Sequence, residues 1–221
     1  MEKLSELLEL LFILPAILIS ITIHEFAHGY VAYKLGDPTA KNMGRLTLNP
    51  LKHIDPVGTL MLVIARFGWA KPVPINPMYF KNVKKGTMLV GIAGPLSNII
   101  FAIFLKSILY ISVLFFNGNW VLYFIGCVNL MYFLNINLAV FNLIPIPPLD
   151  GAKIFGGLLP NKWYYDILVY EKYVGIILVL IIFMFPQLLN KIMGPITALL
   201  DYGIEMLLMP LAKIVTTNLY G

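Results

Sequence analysis

Residues 10–28, LLFILPAILISITIHEFAH, run for fourteen positions without anything more polar than Ser20 and Thr22, then carry two histidines and a glutamate. About 20 apolar residues make one membrane-spanning helix. The pattern predicts such a helix from roughly Leu7 to Tyr33, ended by Gly36-Asp37-Pro38. Residues four apart share a helix face, so His24 and His28 can reach one metal ion. Glu25 beside them can serve as general base towards water at that metal. These two are among only three histidines in the chain. Ionisable groups in hydrocarbon are costly and mark function. The competing reading, packing histidines beside a chance glutamate, leaves buried polar groups without partners.

Composition points the same way. Of 221 residues, 59% are hydrophobic and 12% charged, against about 25% charged in a soluble domain. The length suits one all-α membrane bundle of about four to six spans, residues 1–221 forming a single unit. The lone Cys127 has no partner for an internal disulfide. Met1 to Glu6 lacks the basic start of a cleaved signal peptide, so the first helix is expected to be retained. Net charge is +5, and nine of the sixteen basic residues fall between Lys34 and Lys85 against only Asp37 and Asp55. Glycines, prolines and apolar residues interrupt them, which excludes a nucleic-acid-binding arm and reads as a positive-inside signal. Lys34 onward is therefore expected at the cytoplasmic face, with the N-terminus outside. At about 1.5 Å per residue, His24 lies about 20 Å along from Leu10, in the cytoplasmic half of the bilayer.

Residues 36–82 are different material, with prolines at 38, 50, 56, 72, 74 and 77. Arg45–Leu48 and Lys71–Ile75 are β-prone, and Leu60–Ala65 is apolar but too short to span. A small β-hairpin or sheet around a re-entrant segment is expected, its edge able to pair with an extended peptide; the alternative is a surface loop. A second span is expected over Thr87–Phe116, opening with Gly91 to Asn98, whose small residues let helices approach closely. Lys106 in it either snorkels or faces a polar interior. Asn117-Gly118-Asn119 makes a turn. The third span, Trp120–Leu143, carries Asn129, Asn135, Asn137 and Asn142, so one face meets protein or water. A fourth runs from Tyr173 to Leu189, and residues 191–221 form an interfacial helix or a further span.

Two histidines do not complete a catalytic zinc site, which normally has three protein ligands and one open position. His53 and several carboxylates are candidates for the third. Asp150 is favoured because the topology returns it to the face where His24 and His28 lie, after the helix-breaking prolines of Asn142–Gly151. An aspartate before glycine is otherwise an ordinary turn.

Three motifs, H-E-F-A-H at 24–28, G-P-L-S-N at 94–98 and N-L-I-P-I-P-P-L-D-G at 142–151, resemble the site-2 protease family of intramembrane zinc metalloproteases. The resemblance covers essentially the whole chain. Gly44–Pro50 and Gly68–Pro74 resemble the short bacterial or archaeal branch, and neither a PDZ insertion nor a CBS domain is legible. The resemblance implies that His24, His28 and Asp150 ligate one Zn²⁺, that Glu25 activates the water, and that a membrane-embedded β-hairpin presents the substrate. Asn142 is the candidate donor to the developing oxyanion, with helix capping or packing as its alternative. Asn98 is expected to order the site or to pack. His53 is read as a loop histidine bonded to backbone rather than a gate. The expected activity is endopeptidase cleavage of transmembrane or signal-peptide-derived segments near the cytoplasmic leaflet of the cell membrane. A membrane metal-binding or transport protein and a catalytically silent helix-binding scaffold are the alternatives. Glu25 discriminates, because a metal carrier needs no base beside its ligand.

Overall fold

The computed structural model describes residues 2–65, 68–115 and 119–220, and the turn positions Asn117 and Gly118 lie outside them. Eight α-helices follow one another among the described residues: α1 (Glu2–Lys34), α2 (Thr39–Asn42), α3 (Pro56–Ala65), α4 (Val83–Phe115), α5 (Asn119–Asn142), α6 (Asp150–Gly156), α7 (Asn161–Met184) and α8 (Pro186–Tyr220). Among the described residues, three stretches are long and apolar enough to cross a membrane: Ile13–Lys34, Val83–Val113 and Val121–Asn142. A fourth is made only if Tyr173–Met184 and Gln187–Val215, which meet at a 95° bend, count as one span. The chain is a multi-pass membrane protein with three or four spans, at or below the low end of the expected four to six. Helix α7 ends at Met184, Phe185 caps it and Pro186 opens α8, so the last apolar run is broken where two further crossings would need a longer apolar stretch.

Helix α4 is the centre, packed against α1, α5, α6 and α8. Val128, Tyr132, Ile136 and Val140 recur every fourth residue on α5, so they form one stripe, and it packs with Ala102 and Leu105 of α4 and Met193 and Ile204 of α8. Only about a third of each span is buried within the protein. The outward positions, such as Ile100, Phe104, Ile176 and Leu180, are large and apolar. In hydrocarbon such a distribution is stable because lipid solvates the outer face, while close packing holds the inner one. Lys106 is paired with α8: its Nζ lies 3.0 Å from Glu205 and 3.8 Å from Asp201, and 4.7 Å from the Tyr132 ring centroid of α5. The Tyr132 hydroxyl donates to Asp201. A charge inside a span is thereby paired from two helices, and α8 is fastened to the bundle.

The expected β-hairpin is not there, and no strand occurs among the described residues. Residues 36–82 instead form short helices, turns and an extended strap at residues 71–76. In the Arg45–Leu48 run, the Arg45 and Leu46 N–H groups both turn back to the Ala40 carbonyl, at 2.8 and 3.2 Å. In the strap, prolines at 72, 74 and 77 have no N–H. Lys71 donates to the His53 carbonyl at 2.9 Å, Val73 to Glu25 at 2.7 Å and Asn76 to Asp37 at 2.7 Å. Arg45 Nη2 occupies the carbonyls of Lys71 and Pro72 at 2.7 and 3.2 Å. The alternating apolar pattern fits a strand, but the His53 carbonyl and the side chains of Glu25, Asp37 and Arg45 take the strap groups named above instead of a neighbouring strand. Leu60–Ala65 belongs to α3, whose ten residues extend about 15 Å, half a membrane core.

Candidate metal centre

Helix geometry places the two imidazoles of α1 one above the other, with ring centroids 4.6 Å apart and planes nearly perpendicular. Helix α4 crosses α1 at Gly94. A Cβ there would stand 2.5 Å from His28 Nε2 and 2.6 Å from His24 Cε1, so only glycine leaves room for both rings. The third component arrives by a break in the chain. Helix α5 ends at Asn142, the proline-rich segment turns, and α6 starts with Asp150 in its first turn. Gly151 makes that return possible, because a side chain there would collide with the carbonyls of Leu143 and Ile144.

These elements bring His24, His28 and Asp150 together as one buried group, among the described residues. His24 Nε2 lies 3.0 Å from His28 Nε2 and 3.1 Å from Asp150 Oδ2, and His28 Nε2 lies 2.9 Å from the same oxygen. The other carboxylate oxygen of Asp150 accepts from Lys153 Nζ at 2.9 Å. The Lys153 ammonium on that oxygen favours the carboxylate form of Asp150.

The tautomers test whether this group fits a metal. His28 Nδ1 lies 2.7 Å from the Val90 carbonyl, which only accepts, so Nδ1 carries the proton. His24 Nδ1 lies 2.6 Å from Asn98 Oδ1 and is protonated for the same reason. In the neutral rings both Nε2 atoms then present lone pairs towards a carboxylate oxygen. Three lone pairs about 3 Å apart repel unless a cation lies among them. Zinc donors at about 2.0–2.1 Å stand about 3.3 Å apart in a regular tetrahedron. The observed triangle is slightly tighter, and its donor set of two imidazoles and a carboxylate is one zinc accepts. The residues fit the ion.

Glu25, partly buried, faces the strap through its bond with Val73 N–H. Asn142 is not in the cluster; its Nδ2 turns back to the Leu138 carbonyl of its own helix at 2.9 Å. His53 stays apart as well. It is buried, with Nε2 2.9 Å from the Thr47 carbonyl and its own carbonyl bound by Lys71. Asn98 does contact the cluster, through His24. Two residues behind it escaped the sequence reading. Ser20 and Asn135 are buried and hydrogen-bonded to each other at 2.8 Å, with Asn135 also joined to Asn98 at 2.7 Å. The available signal was that Ser20 lies one turn before His24 on α1.

Comparison with known proteins places this geometry in context. The model of peptidase family M50 matches residues 110–185, a stretch that includes Asp150. YwhC of Bacillus subtilis strain 168, by name a candidate zinc metalloprotease, is 41% identical over 179 residues, 79% of this chain and 81% of that protein. Rip2 of Mycobacterium tuberculosis H37Rv, named likewise, is 30% identical over 191 residues, 83% of this chain and 71% of that protein. A zinc metalloprotease of Methanocaldococcus jannaschii is 32% identical over 155 residues, 70% of this chain and 36% of that protein. No solved structure matches at comparable significance. The metal-transport and silent-scaffold readings are not favoured beside relatives named in this way. Since YwhC is matched across most of both chains, this chain belongs to the site-2 protease family, peptidase family M50, and is an intramembrane zinc metalloprotease.

Proposed function

We propose that His24, His28 and Asp150 are the zinc ligands, that Glu25 is the general base, and that the enzyme cleaves transmembrane or signal-peptide-derived segments from the cytoplasmic side of the cell membrane. The observation that carries this reading is the convergence of two Nε2 atoms and one carboxylate oxygen within about 3 Å of each other, with both Nδ1 protons held elsewhere. What zinc supplies when bound is Lewis acidity towards a water and a scissile carbonyl. The chain does the rest. Glu25 Oε2 is held by the Val73 N–H, which leaves Oε1 to take the proton of the attacking water and deliver it to the leaving amine. Lys153 occupies Asp150 Oδ1, so the carboxylate offers Oδ2 alone. Asn142 is the candidate oxyanion donor; one Nδ2 hydrogen is engaged by the Leu138 carbonyl, which leaves the other to donate.

The orientation rests on the basic segment Lys34–Lys85, with His24 to His28 near the end of a span that leads into it. Substrates follow from that depth. A membrane segment reaching the site exposes its scissile carbonyls only where its helix unwinds, near the cytoplasmic leaflet. Residues 1–221 act as one unit in this reading, with the strap at residues 71–76 joined to Glu25 through Val73 and α8 fastened through Lys106.

The assignment of ligands is tested by zinc affinity, measured by chelator competition in purified protein. His24→Ala, His28→Ala and Asp150→Ala should each weaken zinc binding by at least about 100-fold, since each removes one of three protein ligands. Parental zinc affinity in Asp150→Ala would remove it from the ligand set.

A further inference from the structure

Only one of the two histidine tautomers depends on a side chain. His28 Nδ1 is fixed by the Val90 carbonyl, a backbone group that has no alternative orientation. His24 Nδ1 is fixed by the Asn98 amide, which in principle can present either oxygen or N–H. What holds that amide is a chain of buried hydrogen bonds across three helices. It begins at the Met131 carbonyl of α5, which only accepts and therefore turns Asn135 Nδ2 towards itself at 2.7 Å. The same Nδ2 donates to Ser20 Oγ of α1 at 2.8 Å, and Ser20 passes its own proton to the Ala16 carbonyl at 2.7 Å. Asn135 Oδ1 is left facing Asn98, and Asn98 Nδ2 donates to it at 2.7 Å, with the Ser20 carbonyl 3.4 Å away on the same side. Asn98 Oδ1 must then face His24.

We propose that Asn135 and Ser20 are positioning residues for the metal centre, which act through Asn98 to keep the His24 proton on Nδ1 and its Nε2 lone pair on the metal side. The proposal rests on His24 being a ligand. If the Asn98 amide turned over, its N–H would meet Nδ1 and drive the proton to Nε2, the atom that must coordinate. Asn98 and Asn135 have no exposed surface and Ser20 has 1%, inside helices that span a bilayer, so no water substitutes for a missing partner. Partners of this kind orient a metal-bound imidazole, and their loss typically weakens metal binding about 10–100-fold.

The test is a comparison of Asn135→Leu in two backgrounds, read as the zinc dissociation constant by chelator competition, with the melting temperature recorded beside it. In the parent background Asn135→Leu should weaken zinc about 10–100-fold. In an Asn98→Asp background it should change zinc affinity less than about twofold, because a carboxylate presents an oxygen to His24 whichever way it turns. A purely structural Asn135 would impose the same loss in both backgrounds, and that result, or no loss in either, overturns the proposal. Should Asn135→Leu fail to fold, Ser20→Ala removes one bond from Asn135 and is judged by the same two-background comparison. His24→Ala is run alongside. If it binds zinc like the parent, the ligand assignment itself fails, whereas loss in His24→Ala with equal losses from Asn135→Leu in both backgrounds rejects the relay alone.

Discussion

Val73 gives its N–H to Glu25, and the other backbone donors identified in the strap are likewise taken by the protein. That changes what a strap residue does for the reaction. An open strand edge would offer donors to a peptide, but at Val73 the donor already holds the base. Val73→Pro deletes that N–H, whereas Val73→Ala keeps it and only loses packing against Gly29. A hydrogen bond to a charged group is worth about 1.5–3 kcal/mol, so the proline variant should turn over at least about tenfold more slowly than the alanine variant, with zinc content unchanged in both. Equal turnover in the two variants would show that the Glu25 contact is incidental. Gly94 supports a second residue-scale expectation. Gly94→Ala forces a methyl group against both imidazoles, and overpacking of this kind costs about 1–3 kcal/mol. Zinc affinity should drop by at least about fivefold with it, and an alanine variant with parental affinity would contradict the ring positions.

At the scale of elements, the helices and the strap differ in how far the sequence betrayed them. The spacing of His24 and His28 states their common face outright, because helix geometry alone sets it. Asp150 is legible through topology, which returns it to the same side of the membrane by α4 and α5, and through the motif resemblance of residues 142–151. The strap was misread because Val73 and Ile75 alternate with prolines in the manner of a strand. Nothing local says that Asp37 and Arg45, far off in sequence, have claimed its backbone. Asn135 was one of four amides on α5, and periodicity does not tell which of them meets another helix. Asp37 is the element-scale test. It is fully buried, accepts from Thr39 N–H at 2.9 Å with one oxygen and from Asn76 N–H at 2.7 Å with the other, and so ties the start of α2 to the end of the strap. Asp37→Ala removes the acceptor of the Thr39 N–H, the Thr39 hydroxyl and the Asn76 N–H, and should cost about 1–3 kcal/mol of stability. Amide exchange at Asn76 should speed up with it. Protection at Asn76 equal to the parent would mean that the strap is held by its other contacts alone.

For the whole molecule, a bundle whose spans are only about one-third buried keeps a polar site inside it. The orientation can be read with single cysteines in a Cys127-free background. Gly118→Cys, between α4 and α5 in sequence, should react with an impermeant thiol reagent in intact cells, and Lys84→Cys at the start of α4 should not. The reverse pattern would turn the site to the other face of the membrane. The most direct measurement of the central claim is zinc content and cleavage of a single-span substrate in the same preparation of Glu25→Gln. The ligands and the Val73 contact point survive that change while the proton acceptor is lost, and general-base catalysis contributes about 10²–10⁴-fold. Parental zinc content with turnover reduced by at least about 100-fold is the expected result. Parental turnover in the zinc-loaded variant would contradict it.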